Sequence, residues 1–314
     1  MNSHAVTISA LRSTSEGVKS VPSQKSMAYL DPCQISFNEV KIGGYLGSGS
    51  HGEARMAYYQ NNRYAAKLYH DDHYYNNSIN ELNAWKAINR IGSPYLMTLK
   101  YFCIDTRCPV FIMDQMKQDL RDYVKGYEEN QVKPLTWQRK IEFLKEVTHA
   151  VVDLHDENYI HKDIKARNYL VNKDGHVKLG DFESAEHLNS GQETVRDHYD
   201  HGTYSHMAPE SFNAAKYSKA SDVYSLGMTF WEIITNAEAF PFAGLEYEEL
   251  KLKKEIGGEK IPANCPPKIA HLLGQCWQKL PEARPTARDV LTGLENLEAD
   301  STCYRSSENS CRIS

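Results

Sequence analysis

No stretch of this chain approaches the roughly 20 consecutive apolar residues that a membrane-spanning helix needs, and its first residues lack the apolar core of a secretory signal. Nor is there a basic run. With 36 Lys and Arg against 41 Asp and Glu, the net charge is −5, which argues against a nucleic-acid partner. The cysteines, at 33, 103, 108, 265, 276, 303 and 311, are odd in number and contain no C-x-x-C pair. They read as reduced thiols of a cytoplasmic protein. No internal repeat is found. What the chain does have is size: 314 residues with 41% hydrophobic content can bury one large core or two lobes.

The most informative stretch is His161-Lys162-Asp163-Ile164-Lys165-Ala166-Arg167-Asn168, followed by Asp181-Phe182-Glu183. It sets an acid, a lysine and an amide close together and adds a second acid further on. Phosphoryl transfer from a nucleotide needs that set. One carboxylate orients the substrate hydroxyl, an amide oxygen and a second carboxylate hold divalent metal, and a lysine screens the transferring group. Residues 169–179 read as two short strands around the Asp174-Gly175 turn, which would carry both acids to one mouth. An ordinary loop and hairpin explains any two of these residues but not all of them. The segment resembles the catalytic and metal-binding loops of protein kinases, H-R-D-L-x-x-x-N and D-F-G. Lys162 stands where that family has Arg, and Glu183 where it has Gly.

Upstream, Leu46-Gly47-Ser48-Gly49-Ser50-His51-Gly52-Glu53-Ala54 is G-x-G-x-x-G-x-A. Alone this spacing is a weak signal, shared with dinucleotide folds. A dinucleotide motif would enter a helix next. Here two aromatic-rich runs, 55–59 and 63–69, flank Asn61-Asn62 and read as a hairpin. Tyr64-Ala65-Ala66-Lys67 then resembles the kinase V-A-I-K strand, with Lys67 on the nucleotide phosphates. A lysine in a cleft is costly to leave unpaired, so a glutamate is expected on the next helix. Glu81 sits within an apolar stripe of Ile79, Leu82, Trp85 and Ile88.

The resemblance runs over about residues 37–298 and implies an α+β, two-lobed kinase fold. The expected organisation is a flexible leader at 1–34 and a kinase domain at 35–298. Its strand-rich lobe is expected to reach about 113, with a helical lobe from about 117 and a disordered tail at 299–314. Within the implied nucleotide site, Met113 is the gatekeeper and Asp114 to Met116 the hinge, with Ala65 and Leu170 also touching ATP. Asn168 and Asp181 would hold Mg²⁺. In the carboxyl half, Met207-Ala208-Pro209-Glu210 matches A-P-E, Arg284 matches the arginine that pairs with that glutamate, and Asp222 matches the residue that ties down the catalytic-loop backbone. Residues 137–159 carry a buried helical stripe with Thr136 as N-cap, and Thr286 with Asp289 opens the last helix.

Lys165 and Gly202-Thr203 resemble serine/threonine kinases, and Arg167 is the one tyrosine-kinase-like note in the loop. The resemblance therefore implies transfer from ATP to Ser/Thr hydroxyls of a protein substrate. Asp163, Lys165, Lys67 and Glu81 would be the catalytic set. The competing class is a pseudokinase scaffold, supported by Glu183, Lys162 and the bulk of Trp85. Lacking the fork of arginine, Lys162 attracts a phosphate only as a point charge, so strong dependence on activation-segment phosphorylation is not expected. His198, His201 and His206, with Asp197 and Asp200, fit no zinc spacing and read as a solvated loop. The ending Cys311-Arg312-Ile313-Ser314 fits C-a-a-X, with Cys303 as a second lipidation candidate and hence peripheral membrane association.

Overall fold

The computed structural model describes residues 32–49, 51–71, 75–126, 135–196 and 202–299. The leader up to residue 31, Ser50, Asp197, His198, Asp200, His201, Cys303 and Cys311 lie outside these residues. The described residues open with β1 (Cys33–Gln34), β2 (Lys41–Ser48), β3 (Gly52–Tyr59) and β4 (Asn62–Tyr69). After these come α1 (Tyr75–Ile91), β5 (Leu99–Cys103) and β6 (Val110–Met113). These strands form one sheet in the order β1-β5-β6-β4-β3-β2, antiparallel except at the β1/β5 edge. The β3/β4 hairpin forms with Gln60 and Asn61 at its turn, both at positive φ. That is one residue earlier than the Asn61-Asn62 pair suggested. A two-residue loop with φ > 0 at both positions matches the twist of the strands it joins.

Past the sheet the chain turns helical. β7 (Gln118–Asp119) leads into α2 (Leu120–Val124), α3 (Trp137–Asp156) and β8 (Tyr159–Ile160). β9 (Tyr169–Val171), β10 (Val177–Leu179), β11 (Glu186–His187) and β12 (Thr194–Arg196) follow. Last come α4 (Pro209–Ala214), β13 (Lys216–Ser218), α5 (Lys219–Ile234), α6 (Tyr247–Ile256), α7 (Pro267–Cys276) and α8 (Ala287–Ala299). The expected α+β architecture is what forms. Thr136 caps α3 by accepting from the Arg139 N–H at 3.3 Å, and Thr286 and Asp289 exchange hydrogen bonds at the head of α8. β9 and β10 pair around Gly175 (φ +88) in the expected hairpin.

Helix α5 is buried almost all round, from Ser221 to Ile234, as a helix through the middle of a large domain must be. One core cluster runs from Leu82, Trp85 and Ile88 of α1 through Phe143, Leu144 and Val147 of α3 to Leu294 and Leu297 of α8. A smaller cluster around Ala57, Ala66 and Ile112 covers the other face of the sheet. The five described cysteines are free thiols. Among the described residues no helix is long and apolar enough to cross a membrane.

Candidate active site

A cavity of about 1370 Å³ lies between the sheet and the helices. Leu46, Gly47, Ser48, Gly49, His51, Gly52, Glu53, Ala54, Ala65, Lys67, Asp114, Met116 and Leu170 all line it, as do Glu81, Asp163, Lys165, Asn168 and Asp181. The residues singled out from scattered motifs are thus brought to one place. The Gly47 and Gly49 positions have nothing within 4 Å of where a Cβ would sit, so the loop leaves open room for a ligand. Gly52 is different: a Cβ there would lie 2.3 Å from the Leu68 carbonyl oxygen, so only glycine lets β3 close on β4.

Lys67 on β4 donates to both Glu81 oxygens, at 3.0 and 2.8 Å, and to Asp181 Oδ1 at 3.0 Å. Glu81 is fully buried. Burial pushes its carboxyl up, and Lys67 pulls it back toward the ionised form. Two further donors hold it: the Tyr69 hydroxyl, and the Trp85 indole at 3.1 Å. Trp85 also packs edge-on against Phe182 at 4.7 Å. Its bulk, noted from sequence as a departure, therefore fills the junction between α1 and residues 181–183 and supplies a hydrogen bond. Burial works against the Lys67 ammonium, but Asp181 and Glu81 outweigh it and hold the pKa well above the ordinary value. The same lysine brings Asp181 down to about 2.

The segment from His161 to Asn168 is held from behind. Asp222 on α5 accepts from the His161 N–H at 2.8 Å, the Lys162 N–H at 3.0 Å and the His155 ring at 3.0 Å. At its front, Asp163 Oδ2 accepts from Lys165 at 2.7 Å and Oδ1 from the Thr203 hydroxyl at 3.0 Å. Lys165 also donates to Thr203 at 2.8 Å, which closes a triangle. Asn168 gives its amide nitrogen to the Asp163 carbonyl at 2.8 Å and carboxylate at 3.0 Å. Asn168 and Asp181 both line the cavity, each with a side-chain oxygen that none of these hydrogen bonds uses. Two hard oxygen donors of this kind suit a divalent cation that takes few protein ligands and keeps the rest of its shell for water and phosphate.

Gly202 makes a second close approach. Its φ is +102°, and an added Cβ would lie 2.6 Å from the Lys162 carbonyl oxygen. Gly202→Ala should displace Thr203 from Asp163. We expect kcat to fall at least tenfold, on the scale of losing one general-base contact, with nucleotide affinity retained. Steady-state kinetics with a separate nucleotide-binding titration separates the two.

Several partners were not visible in the sequence. Lys162, in the arginine position, pairs with Glu186 of β11 at 2.9 Å, so the activation segment carries its own counter-ion for it. His206 is not on a solvated loop as expected. It is 3% exposed, with Nε2 2.9 Å from Glu232, which in turn bonds Arg121 at 2.8 Å and the Ala166 N–H at 3.1 Å. No periodicity marks a single histidine whose partner lies 26 residues away. Arg167 turns to Asp119 at 3.5 Å.

Lys254 of α6, 1% exposed, donates to the Met207 and Ser205 carbonyls at 2.7 and 3.2 Å. Burial pushes its ammonium down to about 7, with Glu210 and Glu259 offsetting part of the effect. The unfolded chain keeps that proton up to about 10.5. Between those values the unfolded state binds more protons, so this group's contribution to stability rises with pH. Denaturation midpoints should climb between pH 7 and 9 more steeply in wild type than in Lys254→Met. Parallel curves would show that the ammonium is solvated.

Residues 40–294 match the family model described as protein tyrosine and serine/threonine kinase, and the chain belongs to that family. It is 28% identical over 286 residues to a putative serine/threonine-protein kinase/receptor of Acanthamoeba polyphaga mimivirus, across 90% of this chain and 17% of that protein. It is 29% identical over 219 residues to protein-tyrosine kinase 6 of Mus musculus, across 68% and 47%. A serine/threonine/tyrosine-protein kinase of Arabidopsis thaliana is 26% identical over 269 residues, across 83% and 67%. The chain thus spans about a sixth of the mimiviral relative and about half of the mouse one.

Proposed function

We propose that this chain transfers the γ-phosphoryl group of ATP to serine and threonine hydroxyls of protein substrates, with Mg²⁺ as its metal. The observation that carries this reading is the Asp163–Lys165–Thr203 triangle, set beside Asn168 and the Lys67–Glu81–Asp181 cluster. In this reading Asp163 orients the substrate hydroxyl and takes its proton. Lys165 offsets charge on the transferring group, and Lys67, braced by Glu81, holds the nucleotide phosphates. Asn168 and Asp181 would hold the metal, whose chemistry there would be to offset charge developing on the phosphates. Rate comes from positioning and preorganised charge, with little covalent chemistry for the protein. The bond between Lys165 and Thr203 supports a serine/threonine preference, as does Arg167 being tied to Asp119 and not to Asp163.

The competing reading is a scaffold that binds nucleotide without turning it over. It draws on Glu183, a third carboxylate at Lys67. The test is transfer of ³²P from γ-labelled ATP to myelin basic protein, with the labelled amino acid identified after hydrolysis. Phosphoserine and phosphothreonine are expected. Phosphotyrosine alone would overturn the specificity, and ATP binding without any label would favour the scaffold.

A further inference from the structure

Glu183 stands where the family has glycine, and its carboxylate does what no glycine can. It is 10% exposed and reaches three elements at once. Its Oε2 lies 3.5 Å from Lys67 Nζ on β4. Its Oε1 accepts from Asn77 Nδ2 on α1 at 3.4 Å and lies 3.1 Å from His51 Nδ1, in the loop between β2 and β3. The stem of that loop is already fixed, since the Gly49 N–H donates to the Gly52 carbonyl and the His70 N–H to the His51 carbonyl. His51 itself lines the cavity, so its side-chain contact ties the cavity side of that loop to Glu183.

We propose that Glu183 is a positioning residue: through His51 it latches the phosphate-covering loop onto the metal loop and α1, closing it over the nucleotide. The proposal rests on the nucleotide-binding reading above. A glycine in this position leaves the loop free to lift. The latch must open before nucleotide can leave, so it slows release. Direct electrostatics works in the opposite sense. A carboxylate beside the phosphates repels them, and removing its charge without a latch would tighten binding and slow release. The sign of the change separates the two effects.

The experiment is stopped-flow dissociation of the fluorescent nucleotide mant-ADP with Mg²⁺ from wild type, Glu183→Ala, His51→Ala and the double variant, each checked for folding by circular dichroism. Each single substitution should speed release roughly fivefold, the effect of about 1 kcal/mol. The double variant should release no faster than the faster single one, because both remove the same contact. Hydrogen exchange on the nucleotide-free proteins should show lost protection across residues 47–54 in both single variants. Slower or unchanged release from Glu183→Ala, or effects that multiply in the double variant, would overturn the latch. Failure of the folded wild type to bind mant-ADP would instead sink the nucleotide-binding reading, and the latch with it.

Discussion

Asp163→Asn should slow phosphoryl transfer by on the order of 10²–10⁴ while leaving the dissociation constant for ATP almost unchanged. In the proposed mechanism Asp163 acts on the acceptor hydroxyl, whereas Lys67 and Asp181 act on the nucleotide side. Asparagine is nearly the same shape and keeps one oxygen that can accept, so the contact from Lys165 at 2.7 Å or from Thr203 at 3.0 Å survives in part. The fold is therefore not at risk, and a lost rate reports chemistry. Initial rates with a protein acceptor, beside a calorimetric ATP titration, give both halves of the prediction. Transfer at the wild-type rate would remove Asp163 from its assigned role.

Arg284→Ala should be the most damaging single substitution away from the cavity. The guanidinium is fully buried and forks onto Glu210 at 2.7 and 2.8 Å. Its remaining donors go to the carbonyls of Gln278, Ala220 and Lys279 at 2.7, 3.0 and 3.1 Å. Truncation strands a mostly buried carboxylate and three carbonyls together. Removing one partner of a buried pair costs about 3–5 kcal/mol, which for a domain of this size lowers Tm by roughly 10 °C. Arg284→Lys should recover little of this, because an ammonium cannot span both carboxylate oxygens and three carbonyls. Scanning calorimetry decides it: a shift of a degree or two would mean that water replaces the guanidinium.

The two substitutions probe parts of the molecule that differ in how readable they were. Arg284 and Glu210, Asp222 and the catalytic-loop backbone, and Lys67 and Glu81 are each recognisable because residue type and spacing recur in known kinases. The hairpins were readable because turn residues and period-two patterning are local. The Gln60-Asn61 turn was misplaced by one residue because Asn at both 61 and 62 tolerates a left-handed backbone, and only the strand register decides between them. What stayed hidden depends on partners far apart in the chain. Trp85 looked like an intrusion until its indole was found on Glu81. Lys254 drew no reading from sequence, since nothing in the order of residues around it reports three aromatic rings within 6 Å. The pairings of Lys162 with Glu186 and of His206 with Glu232 are likewise tertiary facts.

The central claim is that the cavity transfers phosphate and does more than hold nucleotide. The most direct measurement is the rate of ³²P transfer from γ-labelled ATP to a generic protein acceptor in the presence of Mg²⁺, per molecule of wild type, with Lys67→Met as the blank. The account predicts sustained transfer by wild type, loss of it when the metal is chelated, and a blank at background. Equal, background-level labelling by wild type and Lys67→Met, with ATP demonstrably bound to the wild type, would contradict it.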